Sequence, residues 1–97
     1  MDDVITQFIK SPLSALPFYV NWTEYNNGAN IVDSTFLFTP SDGSLAISSQ
    51  NFTNSIAVVW LTGGKLGRTY RVINRITLDT GVTDERVFEI KIGYRGN

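Results

Sequence analysis

The sequence contains one motif that could carry catalysis, the triplet Asp79-Thr80-Gly81. A loop of this kind can present an aspartate that shares a proton with a second aspartate across a dimer, which is the chemistry of acid–base peptide hydrolysis. In proteases built this way the triplet lies in the first third of the chain, whereas here it lies close to the C-terminal end. A hairpin turn explains Asp, Thr and Gly equally well. We therefore predict that the triplet is a turn and that the chain is not a protease.

Other catalytic chemistry lacks the side chains it needs. The chain has no histidine to activate its serines and threonines, and no cysteine for a disulfide or a thiolate ligand. Two carboxylate pairs, Asp2-Asp3 and Asp84-Glu85, are adjacent in sequence, and neighbours on a strand face opposite sides of the sheet. Neither pair would converge on a proton or a calcium ion. We expect no enzyme activity, no catalytic residue, no cofactor and no metal site.

The distribution of charge limits the kinds of partner that are expected. Eight basic and nine acidic residues give a net charge of −1, and no cluster of Lys and Arg stands out, so nucleic acid is not an expected partner. No apolar run approaches the roughly 20 residues that span a bilayer. The start, Met1-Asp2-Asp3, is acidic, whereas a signal peptide begins with positive charge. We expect no membrane partner, and synthesis and use in a cytoplasm-like compartment.

Alternating apolar residues predict the elements. Short runs of β-branched and aromatic residues are separated by Gly, Asn, Asp and Pro turns, and 97 residues suffice for one domain. The pattern predicts an all-β fold, an immunoglobulin-like antiparallel β-sandwich of about seven strands. The predicted strands are Phe18–Trp22, Ile31–Thr39, Ser44–Ser49, Ser55–Leu61, Thr69–Asp79 and Asp84–Tyr94, with a further candidate near the N-terminus.

Side-chain alternation predicts which face of the last hairpin is buried. One strand should bury Tyr70, Val72, Ile76 and Leu78, and the other Phe88, Ile90, Ile92 and Tyr94. Asn74 falls among these inward positions and should have a hydrogen-bond partner. The opposite face is charged and should be solvated, with cross-strand pairs such as Arg75 and Glu89.

Four residues are predicted to determine the fold: Trp22, Trp60, Gly67 and Tyr70. Tyr70 opens its strand three residues after Gly67, a position that suits the tyrosine corner of immunoglobulin-like domains, in which the hydroxyl bonds to backbone upstream. The alternative is an ordinary half-buried strand tyrosine.

The run Ser55–Leu61 is apolar on both faces. We expect Ile56, Val58 and Trp60 to point into the core, and Ala57, Val59 and Leu61 to point outward. An outward apolar patch marks an interaction surface unless another segment covers it. The chain's own N-terminal segment could be that cover.

The first sixteen residues have two interpretations. Residues 1–16 form either an N-terminal arm that docks on a neighbour or the first strand, and residues 17–97 form the sandwich domain. If the segment is an arm, Phe8, Ile9 and Leu13 are further candidate interface residues.

Five motifs support a family resemblance: Asn21–Thr23, Ser34–Phe36, Val59–Gly64, Gly67–Thr77 and Thr83–Ile92. On these motifs, the sequence from Phe18 onward, roughly four fifths of the chain, resembles small tailed-phage virion proteins with an immunoglobulin-like domain, which act as fiber-tail adaptors. The resemblance implies a non-enzymatic structural protein that attaches fibers or other components to the neck or tail. Its partners would be neck, tail, fiber or capsid subunits, and many copies in a symmetric assembly would strengthen weak contacts.

Two alternatives accompany this interpretation. The chain could be a capsid decoration protein, which would bind the shell lattice. It could also be a carbohydrate-binding module of a host-recognition device, for which Tyr19, Tyr25 and Tyr94 are the available aromatics. In each case the expected location is the virion, assembled in the cytoplasm of the bacterial host.

Overall fold

The structure, a computed structural model, describes residues 6–94 and is built almost entirely of strands. It confirms the predicted all-β sandwich, with seven strands in two sheets and one short helix. In chain order the elements are β1 (Gln7–Lys10), β2 (Ala15–Asn21), α1 (Thr23–Asn26), β3 (Ile31–Thr39), β4 (Leu45–Phe52), β5 (Ile56–Gly63), β6 (Thr69–Leu78) and β7 (Thr83–Ile92).

The strands form a four-stranded sheet in the order β1-β7-β6-β3 and a three-stranded sheet in the order β2-β5-β4. Every pairing is antiparallel except that of β1 with β7, which is parallel. Within the N-terminal segment that was predicted as an arm or a strand, Gln7–Lys10 is a strand of the sandwich, and β2 begins at Ala15. Residues 1–5 of that segment lie outside the described residues.

The closing hairpin buries the faces that alternation predicted. Tyr70, Val72, Ile76 and Leu78 on β6 and the β7 residues Phe88, Ile90 and Ile92 are all core residues. The prediction for Tyr94 is wrong: β7 ends at Ile92, and Tyr94 is exposed. The predicted pair of Arg75 with Glu89 is also wrong, because the register places Arg75 opposite Glu85 and Arg71 opposite Glu89.

The predicted orientation of β5 is wrong. Ala57, Val59 and Leu61 are fully buried, at 0% exposure, whereas Trp60 is 40% exposed and points away from the core. The reason is pairing: the three buried side chains lie opposite Val20, Phe18 and Leu16 of β2, and directly opposed residues of a sheet share a face, so the inward face of β2 sets that of β5. Ala57, Val59 and Leu61 are therefore no longer candidate interface residues, and Trp60 does not belong to the core.

Asn74 has the partners that its burial requires. It is fully buried, and its side-chain oxygen accepts a hydrogen bond from the Trp22 indole N–H at 2.9 Å. Its amide nitrogen donates to the Ser34 hydroxyl at 3.0 Å and to the Thr35 carbonyl at 3.2 Å. Because Trp22 follows β2 and Asn74 lies in β6, this side chain joins the two sheets through the core.

The tyrosine corner is confirmed. Tyr70 is buried, and its hydroxyl accepts a hydrogen bond from the Lys65 backbone N–H at 3.0 Å while donating to the Asp42 carboxylate at 2.6 Å. Gly67 has φ +87°, in the region that favours glycine, and its N–H donates to the Ile92 carbonyl at 2.8 Å. The loop before β6 is thereby fixed to both Tyr70 and the end of β7.

Candidate functional site

The Asp79-Thr80-Gly81 triplet forms the turn between β6 and β7. The Gly81 N–H donates to the Leu78 carbonyl at 2.9 Å, and the Leu78 N–H donates to the Val82 carbonyl at 2.8 Å. Asp79 is exposed and accepts a hydrogen bond from the Asn30 backbone N–H at 3.3 Å. Across residues 6–94, no three His, Cys, Asp or Glu side chains lie where they could hold a metal ion together. The same residues include no helix with the length and apolar character needed to cross a membrane.

The outward side of the three-stranded sheet is the most distinctive surface of the molecule. None of its three strands contains a charged residue. We call this side the uncharged face. Its aromatic and aliphatic members are Pro17, Tyr19, Ile56, Val58 and Trp60, and its polar members include Asn21, Ser49 and Asn51.

Strand pairing fixes how the uncharged face is arranged. Trp60 lies at its middle, opposite Pro17 on one neighbouring strand and Ser49 on the other. Val58 lies in the next row, opposite Tyr19 and Asn51. Tyr19 is 65% exposed and is a diagonal neighbour of Trp60, within reach across a strand pair. The pairing therefore places two aromatic side chains next to each other on this face.

The outward side of the four-stranded sheet has the opposite character. Arg75 pairs with Glu85, and Arg71 pairs with Glu89 at 3.5 Å. The Gln7 side-chain amide also donates to Glu89, at 3.1 Å. Cores of protein interfaces are depleted in charge and enriched in Trp and Tyr. By that criterion the uncharged face, and not the charged sheet, is the candidate interaction surface.

The three N-terminal interface candidates do not form one patch. Phe8 packs edge-on against Phe88, with ring centroids 5.7 Å apart, and also contacts Phe18 at 5.3 Å, so it closes the edge of the core. Ile9 is exposed on β1. Leu13 is 92% exposed, in a turn where the Ser14 N–H donates to the Ser11 carbonyl at 3.2 Å. None of the three belongs to the uncharged face.

Arg86 is a candidate functional residue that our sequence reasoning missed. Its guanidinium lies 4.2 Å from the centre of the Trp22 ring and donates to the Asn21 carbonyl at 2.8 Å. Alternation along β7 places Arg86 on the inward side with Phe88, so a charged residue at an inward position was the available signal. Because Arg86 lies at the end of the sandwich, it covers Trp22 and remains accessible to solvent.

Tyr25 is less available for ligand binding than its exposure suggests. Its hydroxyl donates a short hydrogen bond to the Asp84 carboxylate, and its ring packs against Trp22. The bond raises the pKa of Tyr25 and, as its largest cause, lowers the pKa of Asp84. Of the three tyrosines considered for carbohydrate binding, only Tyr19 lies on the uncharged face, and Tyr94 lies beyond the end of β7.

Lys10 is a buried cation at the end of β1. Its Nζ donates to the Gly63 carbonyl at 2.6 Å and to the Ser11 carbonyl at 2.9 Å. Burial lowers the pKa of Lys10, because the charged form loses water. The bond to Gly63 links β1 of one sheet to β5 of the other, so Lys10 acts as a structural clamp.

Comparison with known proteins shows a family and a fold. A family model described as Gp77, podophage GP4 fiber-tail adaptor protein gp77, matches residues 10–91. Among solved structures, the chain is similar to the solution structure of the PKD domain from KIAA 1837 protein, with 11% sequence identity and a TM-score of 0.54. That match covers 96% of this chain and 85% of the other, and it shows the fold alone. Among curated proteins no match is found.

Proposed function

The chain belongs to the podophage fiber-tail adaptor family, and from this we propose that it is a non-enzymatic structural protein of a tailed-phage virion. In this proposal it attaches fibers to the tail or neck. The attaching surface is the uncharged face, and its centre is Trp60.

The observation that carries this proposal is the absence of charge from all three strands of one sheet. A sheet face that remains in water has no need to exclude Lys, Glu, Asp and Arg, and the other sheet carries them. A face that becomes dry on assembly must exclude them, because a buried unpaired charge is very costly. Exposed Trp60 and Tyr19 provide the large aromatic contacts that dominate interface energies.

The backbone beneath the uncharged face is ordered by the fold itself, before any partner binds. Trp60 lies on β5, which is hydrogen-bonded on both sides by β2 and β4. The backbone beneath the face is therefore already ordered, and little conformational entropy remains to be lost on binding. Repeated copies around a symmetric tail would add avidity to each modest contact.

Leu13 supports a second contact in the same assembly. It is the most exposed large hydrophobic side chain of residues 6–94, at the tip of the turn between β1 and β2. Burying a leucine against a partner contributes about 1.5–3 kcal/mol. We propose that Leu13 makes a contact of its own, separate from the uncharged face.

The proposal is tested by introducing a charge into the uncharged face. The variant is Trp60→Lys, and the matched control is Leu37→Lys, a large hydrophobic residue of β3 that is similarly exposed, at 45% against 40%. Both variants should keep the circular dichroism spectrum and melting temperature of the parent. The number of copies of this protein per purified particle, measured by mass spectrometry, should fall at least about tenfold for Trp60→Lys alone.

Normal incorporation of Trp60→Lys would contradict the proposal. Val59→Lys would not test it, because Val59 is fully buried and a charge there would unfold the domain.

The uncharged face also supports a second candidate function, binding of a neutral saccharide. Adjacent Tyr19 and Trp60 rings could stack on sugar rings, and Asn21 and Asn51 could bond hydroxyl groups. A glycan array separates the two functions. Saccharide binding that is lost in Trp60→Ala, together with normal incorporation of Trp60→Lys into particles, would favour the carbohydrate module over the adaptor.

A further inference from the structure

The outward side of the four-stranded sheet has a regular arrangement that the proposed attachment does not use. We call this side the charged face. On its two long strands, β6 and β7, the outward residues form five rows of directly opposed pairs: Thr69 with Lys91, Arg71 with Glu89, Ile73 with Val87, Arg75 with Glu85, and Thr77 with Thr83. The middle row is apolar and half-buried. An ion pair lies on each side of that row, so the charged face has an apolar centre between two charged rows.

The charges of these two rows are sorted by strand. Both arginines lie on β6 and both glutamates lie on β7. Pairing across the hairpin requires only one charge of each sign in a row, and it would be satisfied equally if each strand carried one arginine and one glutamate. The sorting makes one half of the charged face positive and the other half negative. A surface of the same design, turned around, therefore meets the opposite charge in both rows.

The ion pairs leave bonding capacity on both strands. The Nε and Nη2 atoms of Arg75 both contact Oε2 of Glu85, and Oε1 of Glu85 has no bonding partner within residues 6–94. Arg71 contacts Glu89 through Nη2 alone, at 3.5 Å, and a guanidinium has five N–H donors. The side chains of both arginines are 52% exposed. These groups can form further charge-assisted hydrogen bonds with a partner.

A second copy of this chain supplies the complementary charges. Two charged faces can pack about a two-fold axis that runs parallel to the strands, midway between β6 and β7, so that β6 of each copy lies over β7 of the other. Each arginine then faces a glutamate of the second copy in its own row, and the two apolar rows stack on each other. The remaining cation of these strands, Lys91, faces the neutral Thr69. No like charges on β6 and β7 meet.

The same charges exclude the other two-fold arrangement of the two faces. An axis perpendicular to the strands would place β6 over β6 and β7 over β7, with the order of the rows reversed. Arg71 would then face Arg75, and Glu85 would face Glu89. Like charges brought together in an interface are strongly unfavourable. The charge pattern therefore selects the arrangement with the axis parallel to the strands.

The size of the charged face fits a weak dimer. With strands about 4.8 Å apart and a rise of about 3.4 Å per residue, its four strands cover roughly 500–600 Å² in each copy. Specific interfaces that bury less than about 1,200 Å² in total are weak or transient. Aligned sheets pack about 10 Å apart at about −30°, an angle that keeps the central rows of both copies in contact. We expect a micromolar dissociation constant.

We infer that this chain forms a symmetric dimer through the charged face, with β6 of each copy over β7 of the other. The dimer leaves both three-stranded sheets on its outside, facing in opposite directions. Its two uncharged faces bind two partners at once, so that one dimer joins components that a single domain could not bridge. Only this use of the dimer rests on the proposed function.

Two double variants test the arrangement of charges. Arg71→Glu with Arg75→Glu makes the face acidic, and Glu85→Lys with Glu89→Lys makes it basic. In sedimentation equilibrium each variant alone should dimerise at least about tenfold more weakly than the parent. An equimolar mixture of the two should form a heterodimer, because their charges are again complementary. The control is Lys65→Glu, an exposed cation in the loop before β6, which should leave the dissociation constant unchanged.

Two measurements on the unmodified chain do not depend on how the variants fold. Dilution through the dissociation constant should shift the NMR amide signals of Ile73 and Val87 and leave those of Val58 and Trp60 in place. Added salt should raise the dissociation constant, because it screens the contacts between the charged rows.

Four results would overturn the inference. They are a monomer at about 1 mM chain, dimerisation that neither variant weakens, a mixture of folded variants without heterodimer, and dilution shifts confined to the uncharged face. The particle experiment is separate, and its control Leu37 lies on β3, outside the rows of β6 and β7. A monomeric chain with loss of Trp60→Lys from particles would refute the dimer and leave the proposed function intact.

Discussion

Replacing Asn74 by alanine should produce one of the largest losses of stability available to a polar substitution in this chain. The Asn74 side chain is fully buried and joins Trp22, after β2, to Ser34 and Thr35 of β3. Ser34 and Thr35 are partly or largely exposed and can bond water once the amide is gone. Trp22 is only 1% exposed, so its indole N–H cannot bond water in the same way.

The expected cost follows from these differences in exposure. An unsatisfied buried indole N–H costs about 1–3 kcal/mol, and the space left by the missing amide adds about 1 kcal/mol. The total is about 3 kcal/mol, a large part of the roughly 5–15 kcal/mol that stabilises a domain. For a chain of this size the melting temperature should fall by roughly 12–24 °C.

Urea unfolding followed by far-ultraviolet circular dichroism measures this loss, and a double-mutant cycle assigns it. Trp22→Phe removes the donor, so Asn74→Ala should cost about 1–2 kcal/mol less in the Trp22→Phe background. Thr77→Ala, on the same strand, removes a hydroxyl that shares a hydrogen bond with the Thr83 hydroxyl; it is the control and should change stability by about 0.5 kcal/mol or less. A cost below about 1 kcal/mol for Asn74→Ala, or a coupling energy of zero, would refute the reasoning.

Two further predictions concern ionisable groups. Burial lowers the pKa of Lys10 from 10.5, so its charge penalises the folded state at neutral pH, and that penalty is relieved as pH rises toward 10.5. Lys10→Met removes this penalty together with the bonds to the Gly63 and Ser11 carbonyls. Its melting temperature relative to the parent should therefore be highest near neutral pH and should fall above about pH 9; a relative melting temperature that rises with pH would contradict this. The Tyr70 hydroxyl and the Ser44 N–H, both donating to Asp42, lower the pKa of that carboxyl below 3.8. The ionised Asp42 carboxylate therefore stabilises the folded state fully above about pH 4, and this stabilisation is lost as pH falls through the folded pKa. The melting temperatures of Asp42→Asn and the parent should converge in acid. A constant difference between them from neutral pH to about pH 2 would contradict this.

The sequence was sufficient to predict strand bounds and buried faces where one face of a strand is clearly apolar. The bounds of β3 were predicted correctly, and the buried faces of β6 and β7 followed from alternation. The tyrosine corner and the need of Asn74 for partners followed from position and chemistry. Register was not accessible in the same way. A shift of any even number of residues keeps every side chain on its face, so alternation could not distinguish Glu85 from Glu89, four residues apart, as the partner of Arg75.

Strand β5 shows why the candidate site was assigned to the wrong side. Ser55–Leu61 is apolar at consecutive positions, so the period of two that selects a face is absent. The pairing with β2 decides the orientation, since Phe18 and Val20 are core residues and lie opposite Val59 and Ala57 on the same face of the sheet. The size of Trp60 favoured a core position, but pairing places it on the outward side of the sheet. One apolar face of this strand lies in the core, and the other faces outward.

Two features depend on contacts distant in sequence and could not be predicted locally. The parallel pairing of β1 with β7 joins the two ends of the described chain. Lys10 is buried because Gly63, more than fifty residues away, supplies a carbonyl. In each case the local sequence is compatible with several environments, and only the complete topology selects one.

Electron cryo-microscopy of the intact particle tests the central claim most directly. The account predicts that this domain lies where fibers join the tail or neck, with Tyr19, Val58 and Trp60 covered by a neighbouring subunit. It would be contradicted by a map in which the uncharged face borders solvent, or in which the domain decorates the capsid shell.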